Sequence, residues 1–213
     1  MSSPVFSADG DGAVEATRVV LGGGVIVYPT ETVYGLGGDP MSAEIVARIG
    51  EIKGRGESKP ILVLTDTWDR VATWIAGVAH DAETLMSHEP PLPVTFLFPA
   101  GENAPEWLIG EEGLIGIRKT TSAFCLDLIG EIDRPLLSTS ANRTGRDAPA
   151  RFSEIEPFIL DKVDAAFRSD AKREGVHSTI VRAAGDRIEV LREGGVSEED
   201  LWKILGESNS QTG

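Results

Sequence analysis

Apolar and polar residues alternate along the chain with two periods, one typical of strands and one typical of helices. Short apolar runs between glycines, prolines and polar residues predict buried strands, and apolar residues three or four positions apart predict helices packed by one face. The predicted strands are 25–28, 61–64, 94–99, 114–118, 135–138, and a late hairpin of 179–181 with 187–191. The predicted helices are 13–21, 43–52, 68–86 with a break near Gly77, and 122–129.

Interleaved strands and helices, followed by hairpin strands, are typical of an α/β fold with a twisted mixed parallel/antiparallel sheet and flanking helices. The 213 residues contain no fixed-period repeat and no low-complexity stretch, so we expect a single domain. The polar ends of the chain, residues 1–11 and 206–213, predict flexible termini.

Composition narrows the possible classes of function. No apolar run approaches the roughly 18 residues of a membrane span, and no basic segment followed by an apolar run opens the chain, which predicts a cytoplasmic protein with no membrane partner. The single cysteine, Cys125, cannot form an internal disulfide and is interpreted as a helix core residue. The three histidines, His80, His88 and His177, are too few for a zinc site or a Ser/His/Asp hydrolase, so no protein-held metal is predicted.

The net charge of −14 should repel polyanions from the molecule as a whole. The charge is unevenly distributed, because residues 48–60 carry +2 and residues 118–192 carry +1, whereas the other segments are acidic. Such clustering often marks only a solvated surface. The two positive segments nevertheless contain the most unusual motifs of the chain.

The first motif, YPTETVYGLGG at 28–38, follows directly on the predicted strand VIVY. It places two threonines and a glutamate at the carboxyl end of a strand, where α/β sheets tend to bind ligands. Its glycines would let the backbone turn sharply or approach a ligand closely. A plain turn between a strand and a helix is the alternative interpretation, and the Thr-Glu-Thr run favours a site.

The second motif, KGRGESKP at 53–60, joins the helix that ends near Ile52 to the strand 61–64. Its three cations, Lys53, Arg55 and Lys59, can converge on one polyphosphate, since arginine offers a planar fork and lysine a mobile point charge. The spacing fits neither a Walker loop nor a dinucleotide-binding fingerprint. A solvated turn is the alternative for a cationic loop taken alone.

The third motif is the run STSAN at 138–142, which ends a predicted strand with three hydroxyls and an amide. These groups suit phosphate oxygens, ribose or an amino acid, although they could also merely cap a turn. The run HSTI at 177–180 repeats the pattern, and His177 itself is interpreted as a solvated loop residue. Arg118 and Arg192 each end a predicted strand and could bind a carboxylate or remain surface residues.

The segments YPTETVYGLG, KGRGESKP, PLPVTFLFP, GIR, STSAN and HSTIV occur in the order and approximate spacing of the YrdC-like family. The chain resembles this family over about residues 14–205, and the KxR…KP loop combined with STSAN is the most specific part of the likeness. The resemblance implies a single YrdC-like α/β domain over 14–205 with a concave, positively charged cleft. Leu64, Leu92 and Leu114 depart from the family pattern.

The resemblance also implies an activity, that of a nucleotidyltransferase which forms threonylcarbamoyl-AMP and pyrophosphate from ATP, L-threonine and bicarbonate for tRNA modification. Thr32, Arg118 and Ser138 resemble the residues that bind L-threonine. The implied ATP-binding residues are Lys53, Arg55, Lys59, Ser138, Ser140, Asn142, Ser178 and Arg192, and among them Lys53 and Arg55 would serve catalysis. Mg²⁺ would enter with ATP, and the product would pass to a threonylcarbamoyl transferase complex.

Two other classes of function remain open at this point. An RNA-binding or ribosome-maturation factor would fit a weak affinity for tRNA, although the net charge of −14 opposes tight binding of RNA. A related adenylating or carbamoyl-transferring enzyme would use the same scaffold with another acceptor.

Overall fold

The computed structural model describes residues 3–54, 61–110, 112–171 and 173–211, and within these ranges ten strands form one sheet. The strands are β1 (Val5–Ser7), β2 (Ile26–Pro29), β3 (Tyr34–Gly37), β4 (Leu62–Thr65), β5 (Val94–Pro99), β6 (Leu114–Lys119), β7 (Leu136–Ser140), β8 (Ala165–Arg168), β9 (Thr179–Arg182) and β10 (Glu189–Arg192). The helices are α1 (Gly12–Leu21), α2 (Ala43–Lys53), α3 (His80–Met86), α4 (Ala123–Ile132), α5 (Pro157–Leu160) and α6 (Glu198–Gln211). Short 3₁₀ turns lie at Asp69–Trp74, Glu106–Leu108 and Phe152–Glu154.

The strands lie side by side in the order β1-β8-β2-β3-β7-β4-β6-β5-β9-β10. Parallel pairs (β1 with β8, β2 with β8, β4 with β6, β5 with β9) occur together with antiparallel ones, so the sheet is mixed as the sequence predicts. The first and third motifs meet at its centre, because β3 pairs antiparallel with β7.

Helices cover both faces of the sheet. Along β2, Val27 belongs to one apolar cluster and Ile26 and Tyr28 belong to the other, as the period of two in a strand requires. α1 and α4 pack on the Tyr28 side, whereas α2, α3 and α6 pack on the Val27 side. Burial on both faces explains why the runs VIVY and ILVL are continuously apolar instead of alternating. Among the described helices, none combines the length and apolar character needed to cross a bilayer.

Most predicted elements are confirmed, with ends that differ by up to three residues. The predicted helix 68–86 is two elements, a 3₁₀ turn and α3, separated around Gly77. Three strands and the helices α5 and α6 have no counterpart in the prediction. β3 is half glycine, β8 contains two alanines, and β1 has only three residues, so none carries a strong strand signal of its own.

The ends of the chain carry more regular structure than the sequence indicates. β1 lies within residues 1–11, where it pairs with β8, and the ring of Phe6 stacks on Phe167 at 5.6 Å between centroids. α6 continues to Gln211, past the predicted boundary at residue 206. β1 forms through contacts with residues distant in sequence, which local composition does not reveal.

Candidate active site

A cleft lies over the centre of the sheet, where side chains of β3, β6, β7, β9 and β10 and of the turn after β2 converge. It is lined by Thr30, Thr32, Val33, Tyr34, Gly35, Leu62, Arg118, Ser138, Thr139, Ser140, His177, Ser178, Ile180 and Arg192. These described lining residues include two arginines, a histidine and six hydroxyl groups from serine and threonine, and they include no carboxylate. Such a lining suits an anionic ligand rich in hydrogen-bond acceptors.

The turn between β2 and β3 forms one wall of the cleft, and the hydroxyl of Thr30 organises it. Thr30 Oγ1 donates to the carbonyl of Val33 at 2.6 Å and accepts from the backbone N–H groups of Thr32 and Val33 at 3.2 and 3.3 Å. Thr30 Oγ1 also lies 3.1 Å from Thr32 Oγ1. Because the Thr30 proton is committed to Val33, Thr32 donates in this pair and keeps its lone pairs for other donors.

Arg118, at the end of β6, supplies such a donor. Its Nη1 lies 3.3 Å from Thr32 Oγ1, and its Nε lies 3.2 Å from Glu31 Oε1. The Glu31 contact is an ion pair without hydrogen-bond alignment, since neither of these two buried atoms has a hydrogen-bond partner among the described residues. Thr120 holds the other carboxylate oxygen of Glu31 at 2.7 Å. The guanidinium of Arg118 is therefore buried and held in one orientation, but its Nε–H has no hydrogen-bond acceptor among the described residues.

A second carboxyl group lies near this pair. Glu174 lies beside the turn between β2 and β3, and its backbone N–H donates to the carbonyl of Glu31 at 3.3 Å. Burial first, and the charge of Glu31 second, raise the pKa of the Glu174 carboxyl. The positive charge of Arg118 thus faces Thr32 on the cleft side and carboxyl groups on the other.

The end of β7 forms the floor of the cleft with Ser138 and Ser140. Lys53, the last residue of α2, lies behind this strand and is 2% exposed. Its Nζ donates to the carbonyl of Ser140, to the carbonyl of Asn142 at 2.7 Å, and to Asn142 Oδ1 at 3.4 Å. The ammonium has three donors, and three acceptors of the STSAN segment engage it. Lys53 therefore does not line the cleft but fixes the backbone of the segment that does.

Asn142 also turns away from the cleft lining. Its Nδ2 donates to the carbonyls of Arg143 at 3.2 Å and Arg146 at 2.5 Å. Its side chain borders a neighbouring depression shared with Asp147 and Glu156. The Asn142 side chain thereby stabilises the loop that follows β7 through two hydrogen bonds to its backbone.

The opposite wall comes from β9 and β10. Ser178 Oγ lies 2.8 Å from Thr95 Oγ1, and Arg192 Nη2 donates to the carbonyl of Ser178 at 2.8 Å. Burial, and secondarily the charge of Arg118, lower the pKa of Arg192. An anion bound in this cleft would stabilise the positive charge of Arg192.

His177 lies in the loop before β9, as predicted, but on the same wall of the cleft and half-buried instead of solvated. Gly195 donates its backbone N–H to the carbonyl of His177 at 2.8 Å. A Cβ at Gly194 would lie 2.1 Å from that carbonyl oxygen, so glycine is required for the close approach of these backbones. Burial, followed by the charges of Arg192, Lys53 and Arg118, lowers the pKa of His177 and favours the neutral imidazole.

The glycines of the first motif serve packing instead of turning. A Cβ at Gly35 would lie 2.8 Å from the ring of Tyr28, and one at Gly37 would lie 1.7 Å from the carbonyl oxygen of Leu137. Neither glycine has a positive φ. The expected loop is instead a strand, β3, that lies unusually close to its neighbours because these positions lack side chains.

The structure brings six of the ten predicted site residues together in one cleft: Thr32, Arg118, Ser138, Ser140, Ser178 and Arg192. Lys53 and Asn142 lie directly behind the cleft. Arg55 and Lys59 lie outside the described residues. Leu64 is buried in the apolar core and Leu92 borders a separate small pocket, so these two departures from the family pattern lie outside the cleft lining.

Sequence reasoning missed several residues of the site. Tyr34, Leu62 and Ile180 line the cleft. Tyr34 and Ile180 lie within two of the motifs and Leu62 lies in a predicted strand, but none of the three was assigned to the site. His177 could have been found, because it directly precedes Ser178 in a motif already assigned to the site. Glu31 lies between two threonines of the first motif, but its pairing with Arg118 depends on tertiary structure.

Comparison with known proteins places the chain among proteins with this architecture. The model of the Sua5/YciO/YrdC family, described as "Telomere recombination", matches residues 18–194. A threonylcarbamoyl-AMP synthase of Pyrococcus abyssi is 29% identical over 185 residues, which are 87% of this chain and 54% of the relative. A threonylcarbamoyl-AMP synthase of Dichelobacter nodosus is 33% identical over 175 residues, which are 78% of this chain and 91% of the relative.

Solved structures show the same fold. P. abyssi Sua5 complexed with L-threonine superposes with a TM-score of 0.88 at 26% identity, covering 97% of this chain and 62% of that chain. E. coli YciO superposes with a TM-score of 0.82 at 24% identity, covering 94% of this chain and 100% of that chain. The chain thus spans little more than half the length of the Pyrococcus protein and nearly all of the shorter ones. The family match over most of the chain, with the fold and cleft described above, shows that this protein belongs to the Sua5/YciO/YrdC family.

Proposed function

We propose that the protein is an L-threonylcarbamoyladenylate synthase, a nucleotidyltransferase that forms threonylcarbamoyl-AMP and pyrophosphate from ATP, L-threonine and bicarbonate. The observation that carries this proposal is the joint lining of one cleft by a buried, incompletely paired arginine, by the serines of β7 and by Ser178 just before β9. One wall suits a carboxylate and the rest suits a polyphosphate and a nucleoside. The names of the P. abyssi and D. nodosus relatives agree with this assignment.

L-threonine would lie on the wall formed by Thr32 and Arg118. The planar guanidinium of Arg118 can present two N–H groups to a carboxylate, and its 5% exposed side chain is already held in place. Thr32 would contribute its hydroxyl oxygen, which is 3.3 Å from Arg118 Nη1. Ser138 would contact the amino acid from the floor. P. abyssi Sua5, whose fold this chain shares, has been solved as a complex with L-threonine.

ATP would lie over the end of β7 and against the β9–β10 wall. Ser138, Ser140 and Ser178 offer hydroxyls to phosphate or ribose, and Arg192 offers a cation. Arg55 and Lys59 would add positive charge from the loop between α2 and β4, which lies outside the described residues. Lys53 and Asn142 would act from behind the cleft by holding the backbone that carries Ser140.

Mg²⁺ would enter with ATP as a ligand of its phosphates, where it neutralises charge on the triphosphate. Among the described residues, no group of three or more His, Cys, Asp or Glu side chains could hold a metal ion by itself. The described cleft lining contains hydroxyls and no carboxylate, which suits a Mg²⁺ ion whose ligands are phosphate oxygens and water.

The reaction needs no nucleophile from the protein. The amine of threonine reacts with bicarbonate to give a carbamate and water, and a carbamate oxygen attacks the α-phosphorus of ATP and expels pyrophosphate. The protein must hold two anions close together and stabilise the charge that develops on the phosphoryl oxygens, a task for Arg55, Lys59 and Arg192. Positioning of this kind can supply effective molarities of about 10⁵ M or more.

Release of pyrophosphate from ATP tests the proposal. The purified protein with Mg²⁺ should release pyrophosphate only when both L-threonine and bicarbonate are present. Mass spectrometry should detect threonylcarbamoyl-AMP in the same mixture. Binding of ATP without this turnover would assign the cleft to a different acceptor.

We further propose that the product passes to a threonylcarbamoyl transferase complex in the cytoplasm, which uses it to modify tRNA. The acidic net charge of −14 favours only weak direct binding of tRNA. A gel shift against tRNA over a series of salt concentrations measures that affinity.

A further inference from the structure

His177 presents an imidazole to the cleft that no other described side chain engages. It lies on the β9–β10 wall, next to Ser178 and in the same cleft as Arg118 and Arg192, whose charges act on it. Among the described residues, none donates a hydrogen bond to the ring or accepts one from it. The backbone on both sides is fixed, because Gly195 bonds the His177 carbonyl at 2.8 Å and Gly194 packs against it.

The proposed reaction needs a proton acceptor that its assigned residues do not provide. At neutral pH the amino group of threonine is an ammonium, R–NH₃⁺, which has no lone pair for attack on carbon. Its reaction with bicarbonate gives R–NH–COO⁻, water and one proton. Arginine cannot accept this proton, and serine and threonine hydroxyls are far too weakly basic. A base must therefore lie close to the amine.

We propose that His177 is this base: its imidazole nitrogen accepts the proton that the threonine ammonium loses when the N–C bond of the carbamate forms. This inference rests on the proposed function. The imidazole takes one proton from the ammonium, the freed electron pair of nitrogen forms the N–C bond, and the C–OH bond of bicarbonate breaks. The hydroxide takes a second proton from nitrogen and leaves as water, and the proton on the imidazole then passes to solvent. The carbamate then attacks ATP with its oxygen, and no further proton is transferred before pyrophosphate leaves.

The other titratable groups near the cleft are hydrogen-bonded or lie outside its lining, as Glu174 does in a separate small pocket that it shares with Glu31. Tyr34 donates its hydroxyl proton to the carbonyl of Ser169 at 3.0 Å and accepts from the Ser169 N–H at 3.1 Å. Glu31 pairs with Arg118 and Thr120 and does not line the cleft. His177 is thus the group in the described lining whose ordinary pKa, about 6.5, lies close to neutrality and whose nitrogens remain available.

The charges around His177 favour its basic form. Arg192, Lys53 and Arg118 disfavour the imidazolium, and Asp147 opposes them as the weakest of these influences. Burial is the largest influence and acts in the same direction as the cations, so the pKa of His177 lies below its ordinary value and the neutral ring is favoured. The same cations would expel the proton toward solvent after it is accepted.

His177→Asn and His177→Gln test the proposal, with His80→Asn as the matched control. His80 is exposed at the start of α3 and outside the cleft, so its replacement should leave turnover unchanged. The rate of pyrophosphate release with ATP, L-threonine and bicarbonate is measured from pH 6 to pH 9.5, roughly the range over which the imidazole and the amine titrate. Urea unfolding of each variant establishes that it is folded.

We expect the two His177 variants to be slower than wild type by about 100-fold at pH 7. The deficit should shrink as the pH rises toward the pKa of the threonine amine, because free amine needs no base. Added imidazole should restore part of the rate at pH 7. A deficit that is equal at every pH would assign His177 a structural role and overturn the proposal, as would wild-type rates in folded variants. Wild-type protein that needs neither threonine nor bicarbonate would overturn the proposed function itself, and this inference with it.

Discussion

Lys53 and Asn142 are joined by a hydrogen bond of 2.7 Å from the lysine Nζ to the asparagine carbonyl, although they lie 89 residues apart. Gly54 ends α2 in the left-handed conformation, with φ of 63° and ψ of 34°, which turns the chain away while Lys53 remains under β7. The contact links the cationic KGRGESKP loop to the STSAN segment. Two motifs that are separate in the sequence are thus joined by the buried ammonium of Lys53, which belongs to one and donates to the other.

Replacement of Lys53 by methionine should destabilise the protein by about 2 to 3 kcal/mol, because buried carbonyl oxygens of Ser140 and Asn142 lose a charged donor. Urea unfolding measures the free energy. Activity should fall as well, since the floor of the cleft loses its support.

Lys203→Met is the matched control for this change. Lys203 pairs with Glu199 on α6, and its side chain is 59% exposed, so its loss should change stability by less than about 0.5 kcal/mol. If Lys53→Met abolished activity but left the unfolding free energy at the wild-type value, Lys53 would instead act directly on ATP.

Replacement of Arg118 by lysine should raise the KM for L-threonine by about 10- to 100-fold, the range expected for loss of a hydrogen bond to a charged group. Lysine keeps the positive charge beside Glu31 but lacks the planar fork that can bind a carboxylate with two N–H groups. Steady-state kinetics at saturating ATP and bicarbonate measure the change.

Arg48→Lys is the control for Arg118, since Arg48 pairs with Asp164 at 2.6 Å and does not line the cleft. Its KM for L-threonine should equal that of wild type. An unchanged KM in Arg118→Lys would place the carboxylate of threonine elsewhere.

The polar ends of central strands were the part of the site that the sequence could predict. Ser138 and Ser140 follow a short apolar run, and Arg118 and Arg192 end two others, so each lies at a strand end by local pattern alone. Because a sheet brings its central strand ends together, residues of this kind meet without further information.

The side chains that tertiary packing reorients were not predictable in this way. Lys53 has the sequence context of a phosphate-binding loop, yet its ammonium is buried against backbone carbonyls. β3 has too much glycine to indicate a strand, and it forms because β2 and β7 hydrogen-bond to both of its edges. The sequence likewise contains no signal that places His177 of one motif in the same cleft as Arg118 of another.

Replacement of Gly37 by alanine should destabilise the protein by about 3 kcal/mol or more, because the added methyl would lie 1.7 Å from the Leu137 carbonyl oxygen. β3 and β7 would have to separate at the floor of the cleft.

Gly130→Ala is the control for this change. Gly130 lies on the exposed side of α4, and no atom lies within 4 Å of the added carbon. The substitution should stabilise the helix by about 0.5 to 1 kcal/mol. A neutral effect of Gly37→Ala would mean that β3 and β7 do not pack this closely.

Cys125 should be inert toward thiol reagents as long as the protein is folded. It is fully buried in α4, its Sγ lies 3.5 Å from the carbonyl of Pro29, and burial raises the pKa of the thiol to about 12. Reaction requires the thiolate, and at pH 8 almost none is present in the native state. A colorimetric disulfide reagent should therefore label the native protein far more slowly than the urea-unfolded protein, whose thiol has an ordinary pKa.

Iodoacetamide treatment of the native protein should leave pyrophosphate release unchanged, because the nucleophile of the proposed reaction belongs to the substrate and Cys125 does not line the cleft. The rate is compared before and after treatment, with the extent of alkylation measured by mass spectrometry. Rapid labelling of Cys125 with parallel loss of activity would instead show that the thiol is accessible from the cleft, which would contradict a reaction carried by the carbamate alone.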